Sequence, residues 1–158
     1  MKKLVVLLTL LFAVNASAEN LQDTVELMRS DLRTEKKEII AASMNLSSEE
    51  SAKFWPLYQK FEMEMVKIGD RQLKLIDDYG KTFQSMNNKN ASDLTKRALE
   101  IQEDQFEARR NFTSTLQKEI NPVIAARFLQ IESQITRLVN AQIASQVPLV
   151  RMPMKKQG

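Results

Sequence analysis

The chain has 158 residues, of which 27% are charged, and contains 23 basic and 20 acidic side chains but no histidine or cysteine. Without those two residue types, most zinc sites, cysteine nucleophile pairs and serine–histidine triads are excluded. No glycine-rich loop is present to cradle a nucleotide phosphate, and the carboxylates fall on charged helix faces. We therefore expect neither enzymatic activity nor a cofactor.

The first 18 residues have the layout of a secretory signal peptide. Two lysines precede an apolar run at residues 4–14, and small residues follow at 16–18, as signal peptidase requires. The run is shorter than the roughly 20 residues that a spanning helix needs, so an uncleaved anchor is the less favoured alternative. We predict cleavage after Ala18, export to the periplasm, and no stable membrane insertion afterwards.

Cleavage changes how the net charge of +3 is interpreted. The leader contains two lysines and no acid, so the mature chain has 21 basic and 20 acidic side chains. A nucleic-acid-binding domain usually concentrates its basic residues on one face, whereas the signs are interleaved here. We therefore expect the partners of this chain to be proteins and not nucleic acids.

Apolar residues at 3.6-residue spacing predict an all-α fold of four long helices in an extended hairpin or bundle. Helix one is predicted at residues 21–44, with Asn45 as a left-handed stop. Ser47 and Glu50 have the form of a capping box, which starts helix two. Pro56 lies inside helix two and predicts a kink there.

An asparagine-rich loop is predicted at 86–91, followed by helix three at 92–120. Asn121 is a good N-cap and Pro122 suits the first helical position, so helix four starts there. Its predicted apolar face is Ile124, Phe128, Ile131, Ile135 and Leu138. The chain thus divides into a signal peptide at 1–18, a helical domain at 19–146 and an extended basic tail at 147–158.

Helices two and three carry more apolar residues than one core-facing stripe holds. These extra residues are Trp55, Val66 and Leu73 in helix two and Leu99 and Phe106 in helix three. They indicate a wide core face, a subunit interface of a symmetric dimer, or an exposed surface for unfolded or partner proteins. For the exposed surface, the candidate contact residues are Trp55, Met63, Val66, Leu73 and Phe106.

Two Met-x-Met pairs raise the separate question of copper, because thioether sulfur suits Cu(I). Met63 and Met65 are predicted to lie on a helix, where residues two apart point about 200° away from each other. Met152 and Met154 lie in the predicted tail and remain as weak metal candidates.

Two stretches of the chain carry a resemblance to a known family. Residues 46–50 read Leu-Ser-Ser-Glu-Glu and are followed by Phe-Trp-Pro-Leu-Tyr at 54–58, and a second stretch covers 121–132. A closing Val-Pro-Leu-Val at 147–150 is similar to the tails of relatives. Over roughly residues 32–150 the chain resembles the Spy/CpxP family of periplasmic proteins, named for an LTxxQ motif.

Serine and glutamate replace the threonine and glutamine of that motif, and both replacements preserve a capping box. We therefore interpret the motif as a structural device that starts a helix. The motif residues to which this structural role is assigned are Leu46, Ser47, Glu50, Pro56, Pro122, Arg127, Phe128 and Gln130.

The resemblance implies an antiparallel, cradle-like homodimer of long helices. Some similar proteins are ATP-independent chaperones, others restrain envelope stress sensors, and a metal-responsive branch uses histidine or cysteine ligands that this chain lacks. The leading hypothesis is a periplasmic holdase that binds unfolded or stress-exposed envelope proteins. The alternatives are a dedicated regulatory partner of one envelope stress-response protein and a methionine-based copper buffer.

Overall fold

The computed structural model describes residues 33–150, and within that range the chain is all-α with no strand. Helix α1 is described over residues 33–44. Helix α2 then runs Ser48–Thr82, α3 Asn88–Glu119 and α4 Pro122–Gln146, with a short 3-10 turn at Phe83–Ser85 after α2. The predicted all-α fold of four long helices is therefore confirmed. The predicted signal peptide and the tail beyond residue 150 lie outside the described residues.

The chain divides into two compact units between Ser43 and Met44. The second unit contains α2, α3 and α4, and every contact described below lies within it. Phe61 of α2 stacks on Phe112 of α3, while residue 78 of α2 pairs with residue 97 of α3. As the residue number increases along α2, the number of the contacting residue in α3 decreases. The two helices therefore form an antiparallel hairpin.

The start of α2 follows from local hydrogen bonds. Asn45 adopts a left-handed backbone conformation with a φ of 50°, which ends the preceding helix as predicted. The Ser47 hydroxyl accepts from the backbone N–H of Glu50 at 3.3 Å, and the Glu50 carboxylate accepts from the N–H of Ser47 at 2.9 Å. The predicted capping box is therefore confirmed. Further along, α2 continues through Pro56, whose side chain is exposed.

The asparagine-rich connection between α2 and α3 was predicted wrongly. Asn87 is the N-cap of α3, because its side chain accepts from the N–H of Asn90 at 3.0 Å, so α3 begins at Asn88 and not near residue 92. Asparagine favours both turns and N-caps, and composition alone does not separate the two roles. The prediction for α4 is confirmed, since Asn121 Oδ1 accepts from the N–H of Ile124 at 2.8 Å and Pro122 opens the helix.

The core of the second unit is an aromatic cluster that joins all three helices. It consists of Phe54, Tyr58 and Phe61 from α2, Phe112 from α3 and Phe128 from α4, all buried. The Phe112 ring lies 4.7 Å from both Phe61, on which it stacks, and Phe128, which it meets edge to face. Such ring pairs add roughly 0.5–1.5 kcal/mol to the stabilisation from buried area, so this cluster fixes α4 against the hairpin.

Two glycines inside α2 are expected to be destabilising. A Cβ atom added at Gly69 or Gly80 would meet nothing within 4 Å. Because glycine in a helix costs about 0.5–1 kcal/mol relative to alanine, Gly69→Ala and Gly80→Ala should each raise the free energy of unfolding by that amount. Urea denaturation followed by circular dichroism measures the change. A loss of stability in either variant would contradict open surroundings at that position.

Candidate interaction surface

Polar pairs between α2 and α3 hold the hairpin together beyond the aromatic cluster. They are an Arg71–Asp104 ion pair, a Gln105–Gln72 hydrogen bond of 3.1 Å and an Arg97–Asp78 ion pair of 2.8 Å. Arg97 also reaches Asp93 at 3.3 Å. The hydrogen bond from Arg97 lowers the pKa of Asp78, which keeps this half-buried carboxylate ionised. Asp78 was expected on a solvated helix face, and the structure instead places it across the seam of the hairpin.

The two stretches that carry the family resemblance meet at the other end of the hairpin. The Asn121 amide, which caps α4, also donates to Glu50 Oε1 at 3.2 Å. Glu50 therefore links its own capping box to the start of α4. Phe54, four residues after the first stretch, and Phe128, within the second, pack with ring centres 6.1 Å apart. The helix-starting motif thus also aligns two helix ends, which supports its structural interpretation.

The remaining motif residues differ in exposure. Phe128 is fully buried and Leu46 is half-buried. The side chains of Pro56, Pro122, Arg127 and Gln130 are exposed. Phe128 therefore packs the start of α4 against the hairpin, and Pro122 stands in the first turn of that helix.

The capping box should make stability depend on pH in the acidic range. The N–H of Ser47, followed by the Ser47 hydroxyl, lowers the pKa of Glu50 below its ordinary value of 4.5. A carboxyl with a lowered folded-state pKa contributes stability above pH 4.5, and that contribution is lost as pH falls through the folded-state value. Glu50→Gln keeps an acceptor but removes the charge, so the wild-type chain should exceed it in stability at neutral pH and lose this advantage in acid.

Urea titrations of both proteins at neutral pH and near pH 3 test this expectation. The matched control is Asn87→Ala, which removes the N-cap of α3, a hydrogen bond between two groups that do not titrate, and should cost about 1 kcal/mol at both pH values. An advantage over Glu50→Gln that persists undiminished in acid would contradict the role assigned to the Glu50 charge.

Two of the five predicted contact residues are only half-exposed. The Trp55 indole N–H donates to Ser51 Oγ at 3.0 Å, and its ring meets Phe54 edge to face at 5.1 Å. Trp55 therefore extends the aromatic cluster outward. Val66 is also half-buried. These two positions agree best with the wide-core interpretation of the second stripe.

The other three predicted contact residues are exposed. Met63 and Leu73 on α2 are 54% and 41% exposed, and Phe106 on α3 is 59% exposed. Leu99, noted with Phe106 in the second stripe, is 61% exposed. Within residues 33–150, these four large apolar side chains of the hairpin have the solvent access that a contact surface needs.

Leu99 and Phe106 lie on the same exposed face of α3. They are seven residues apart, which places them about 20° apart on α3 and roughly 10 Å apart along it. The Arg110 guanidinium lies 5.9 Å from the centre of the Phe106 ring and bonds Glu107 at 3.1 Å. Charged groups therefore border the apolar pair, which keeps the surface hydrated while leaving the side chains accessible.

Helix α4 has exposed apolar side chains as well. Val123 is 76% and Leu138 is 67% exposed. Leu138 was predicted on the core face of this helix, and that prediction is wrong. In α4 the buried residues are Ile124, Ala125, Phe128 and Glu132, so burial is confined to the first half of the helix.

The fully buried carboxyl residue Glu132 was not anticipated from the sequence. It lies four residues after Phe128, on the same helix face, and this spacing is the signal that identifies it as a core position. Burial, and then the negative charges of Glu62 and Glu132, raise the pKa of Tyr58. The Tyr58 hydroxyl therefore stays protonated inside the cluster.

Within residues 33–150, no three acidic side chains converge in a way that would hold a metal ion. Met152 and Met154 lie outside this range. No helix in the same range is long and apolar enough to cross a bilayer. Comparisons of the chain with protein-family models, curated proteins and solved structures return no match, so the resemblance to the Spy/CpxP family stays a prediction.

Proposed function

We propose that this chain is exported to the periplasm and acts there as an ATP-independent holdase of the Spy/CpxP type. Its ligands would be unfolded or stress-exposed envelope proteins, and its resemblance to the family supports a homodimer. The observation that carries the proposal is the exposure of Met63, Leu73, Leu99 and Phe106 on the α2–α3 hairpin. Contiguous exposed apolar patches mark sites of interaction with other proteins, whereas single exposed apolar side chains are ordinary, so the neighbouring pair Leu99 and Phe106 supports the proposal most directly.

The mechanism follows from the size of each contact. Full burial of one such side chain contributes about 1.5–3 kcal/mol, and these side chains are already partly covered. Several small contributions give reversible binding, so release needs no nucleotide. The mature chain is almost neutral, with 21 basic and 20 acidic residues, so long-range attraction adds little to association. Apolar contact would therefore dominate recognition, and the bordering charges would keep the complex soluble.

The test is an aggregation assay with residues 19–158 and two unrelated clients, one unfolded by reduction and one by heat. Light scattering is followed without ATP. Suppression of both clients is expected if the chain is a general holdase. No suppression at several-fold excess would refute this proposal and favour a dedicated regulatory partner, which would bind one envelope protein and protect no client.

A further inference from the structure

An open apolar groove lies at the end of the hairpin opposite the aromatic cluster. It encloses about 240 Å³ and is lined by Leu75, Ile76 and Tyr79 of α2, by Leu94, Thr95 and Ala98 of α3, and by Val147. A second depression of about 220 Å³ shares Ile76, Tyr79 and Val147 and extends to Phe83 and Pro148. Val147 therefore lies between two connected apolar depressions.

The chain's own segment after α4 lies against this groove and contributes Val147 to its wall. Helix α4 ends at Gln146, and Val147 is extended, with φ of −97° and ψ of 112°. The Tyr79 hydroxyl donates to the Pro148 carbonyl at 2.7 Å, across 69 residues of sequence. The Tyr79 ring also meets Phe83 edge to face at 5.6 Å, which orients the hydroxyl. This extended apolar segment is thus held by the contacts of the Val147 side chain and by one hydrogen bond from the Tyr79 hydroxyl to its main chain.

We propose that this groove binds extended apolar peptide segments, and that Val147–Pro148 is an internal occupant that competes with them. The segment that lies against the groove shows which groups the groove meets: a branched apolar side chain and a backbone carbonyl. Every extended peptide offers such a carbonyl to the Tyr79 hydroxyl, so recognition requires only an apolar residue beside it. The identification of the biological ligand as a segment of an unfolded chain rests on the proposed function.

The internal occupant is held by few contacts. Val147 is half-buried, and the hydrogen bond from Tyr79 is open to solvent. Leu149 is 90% exposed and Val150 is 50% exposed, so the segment leaves the groove directly after Pro148. A second apolar segment can replace these two residues without disturbing the helices, because none of the buried core side chains belongs to the occupant.

The test measures binding of a fluorescein-labelled peptide with the sequence of residues 145–150, Ser-Gln-Val-Pro-Leu-Val, to the mature chain by anisotropy. Val147→Ser with Pro148→Ser removes the apolar side chains of the internal occupant and leaves the Tyr79 hydroxyl free for the carbonyl of the peptide, so the double variant should bind the peptide about tenfold more tightly than the unmodified chain. Adding Ala98→Glu places a charge in the groove and should abolish this binding. The matched control is Leu149→Ser, which alters an exposed residue outside the groove and should bind like the unmodified chain.

Circular dichroism establishes that each variant is folded. Equal binding by all variants, or binding that survives Ala98→Glu, would overturn the assignment of the groove, and so would no binding by the double variant. The aggregation assay on the same proteins separates this result from the proposed function. Suppression of clients without peptide binding would refute the groove alone, whereas groove-dependent peptide binding without suppression would support the groove and refute the holdase.

Discussion

Replacing Phe54 by alanine is expected to lower the free energy of unfolding by about 3–5 kcal/mol. Phe54 is completely buried, and its ring lies 6.1 Å from both Phe112 and Phe128 and 5.7 Å from Tyr58. The side chain thus contacts all three helices of the unit, and its removal leaves a cavity that none of them can close alone. Urea denaturation followed by the helical circular dichroism signal measures the loss.

Phe106→Ala is the matched control, because it makes the same chemical change on a side chain that is 59% exposed. It should change the free energy of unfolding by no more than about 0.5 kcal/mol. Equal destabilisation by the two variants would contradict the placement of Phe54 in the core and of Phe106 on the surface.

The second large effect is expected on client protection. Leu99→Ser with Phe106→Ser should raise the protein concentration needed for a given suppression of aggregation roughly tenfold, which corresponds to the loss of about 1.4 kcal/mol of contact. The two side chains are 61% and 59% exposed and form one line on α3. Removing them takes apolar surface from the proposed contact site while leaving the aromatic cluster intact. The measurement is the light-scattering assay over a range of protein concentrations.

An exposed pair on another helix provides the control for this variant. Val123→Ser with Leu138→Ser removes apolar side chains of α4 that are 76% and 67% exposed. If the contact surface lies on the hairpin, this variant should protect clients as the unmodified chain does. Equal loss in both variants would contradict the location of the surface, and unchanged protection by the α3 variant would remove Leu99 and Phe106 from it.

Helix ends were predictable because the interactions that make them are short in sequence. The left-handed Asn45, the capping box of Ser47 and Glu50, and the Asn121 cap before Pro122 each depend on groups no more than three or four residues apart. The Asn87 cap is just as short in sequence, but the helix start that it makes was predicted wrongly. Its side chain bonds Asn90, three residues on, and the error lay in choosing between two local roles of the same residue.

Apolar periodicity identified part of the core for a related reason. Residues at 3.6-residue spacing share a face, so Ile124 and Phe128 were expected on the apolar stripe of helix four and are buried. The same argument places a residue at an angle on its helix but does not say which neighbour covers that angle, or how far along the helix the neighbour extends. Leu138 therefore lies on the expected face of α4 and is nevertheless 67% exposed.

The sequence by itself determined the all-α class, the main helix ends and the existence of a second apolar stripe, because these depend on residues close together in the chain. Only the tertiary structure decided that Trp55 continues the aromatic cluster whereas Leu99 and Phe106 face solvent. The tertiary structure alone shows the hydrogen bonds between Asn121 and Glu50, 71 residues apart, and between Tyr79 and Pro148, 69 residues apart. Contacts at such separations depend on how the helices pack, and no local periodicity specifies that packing.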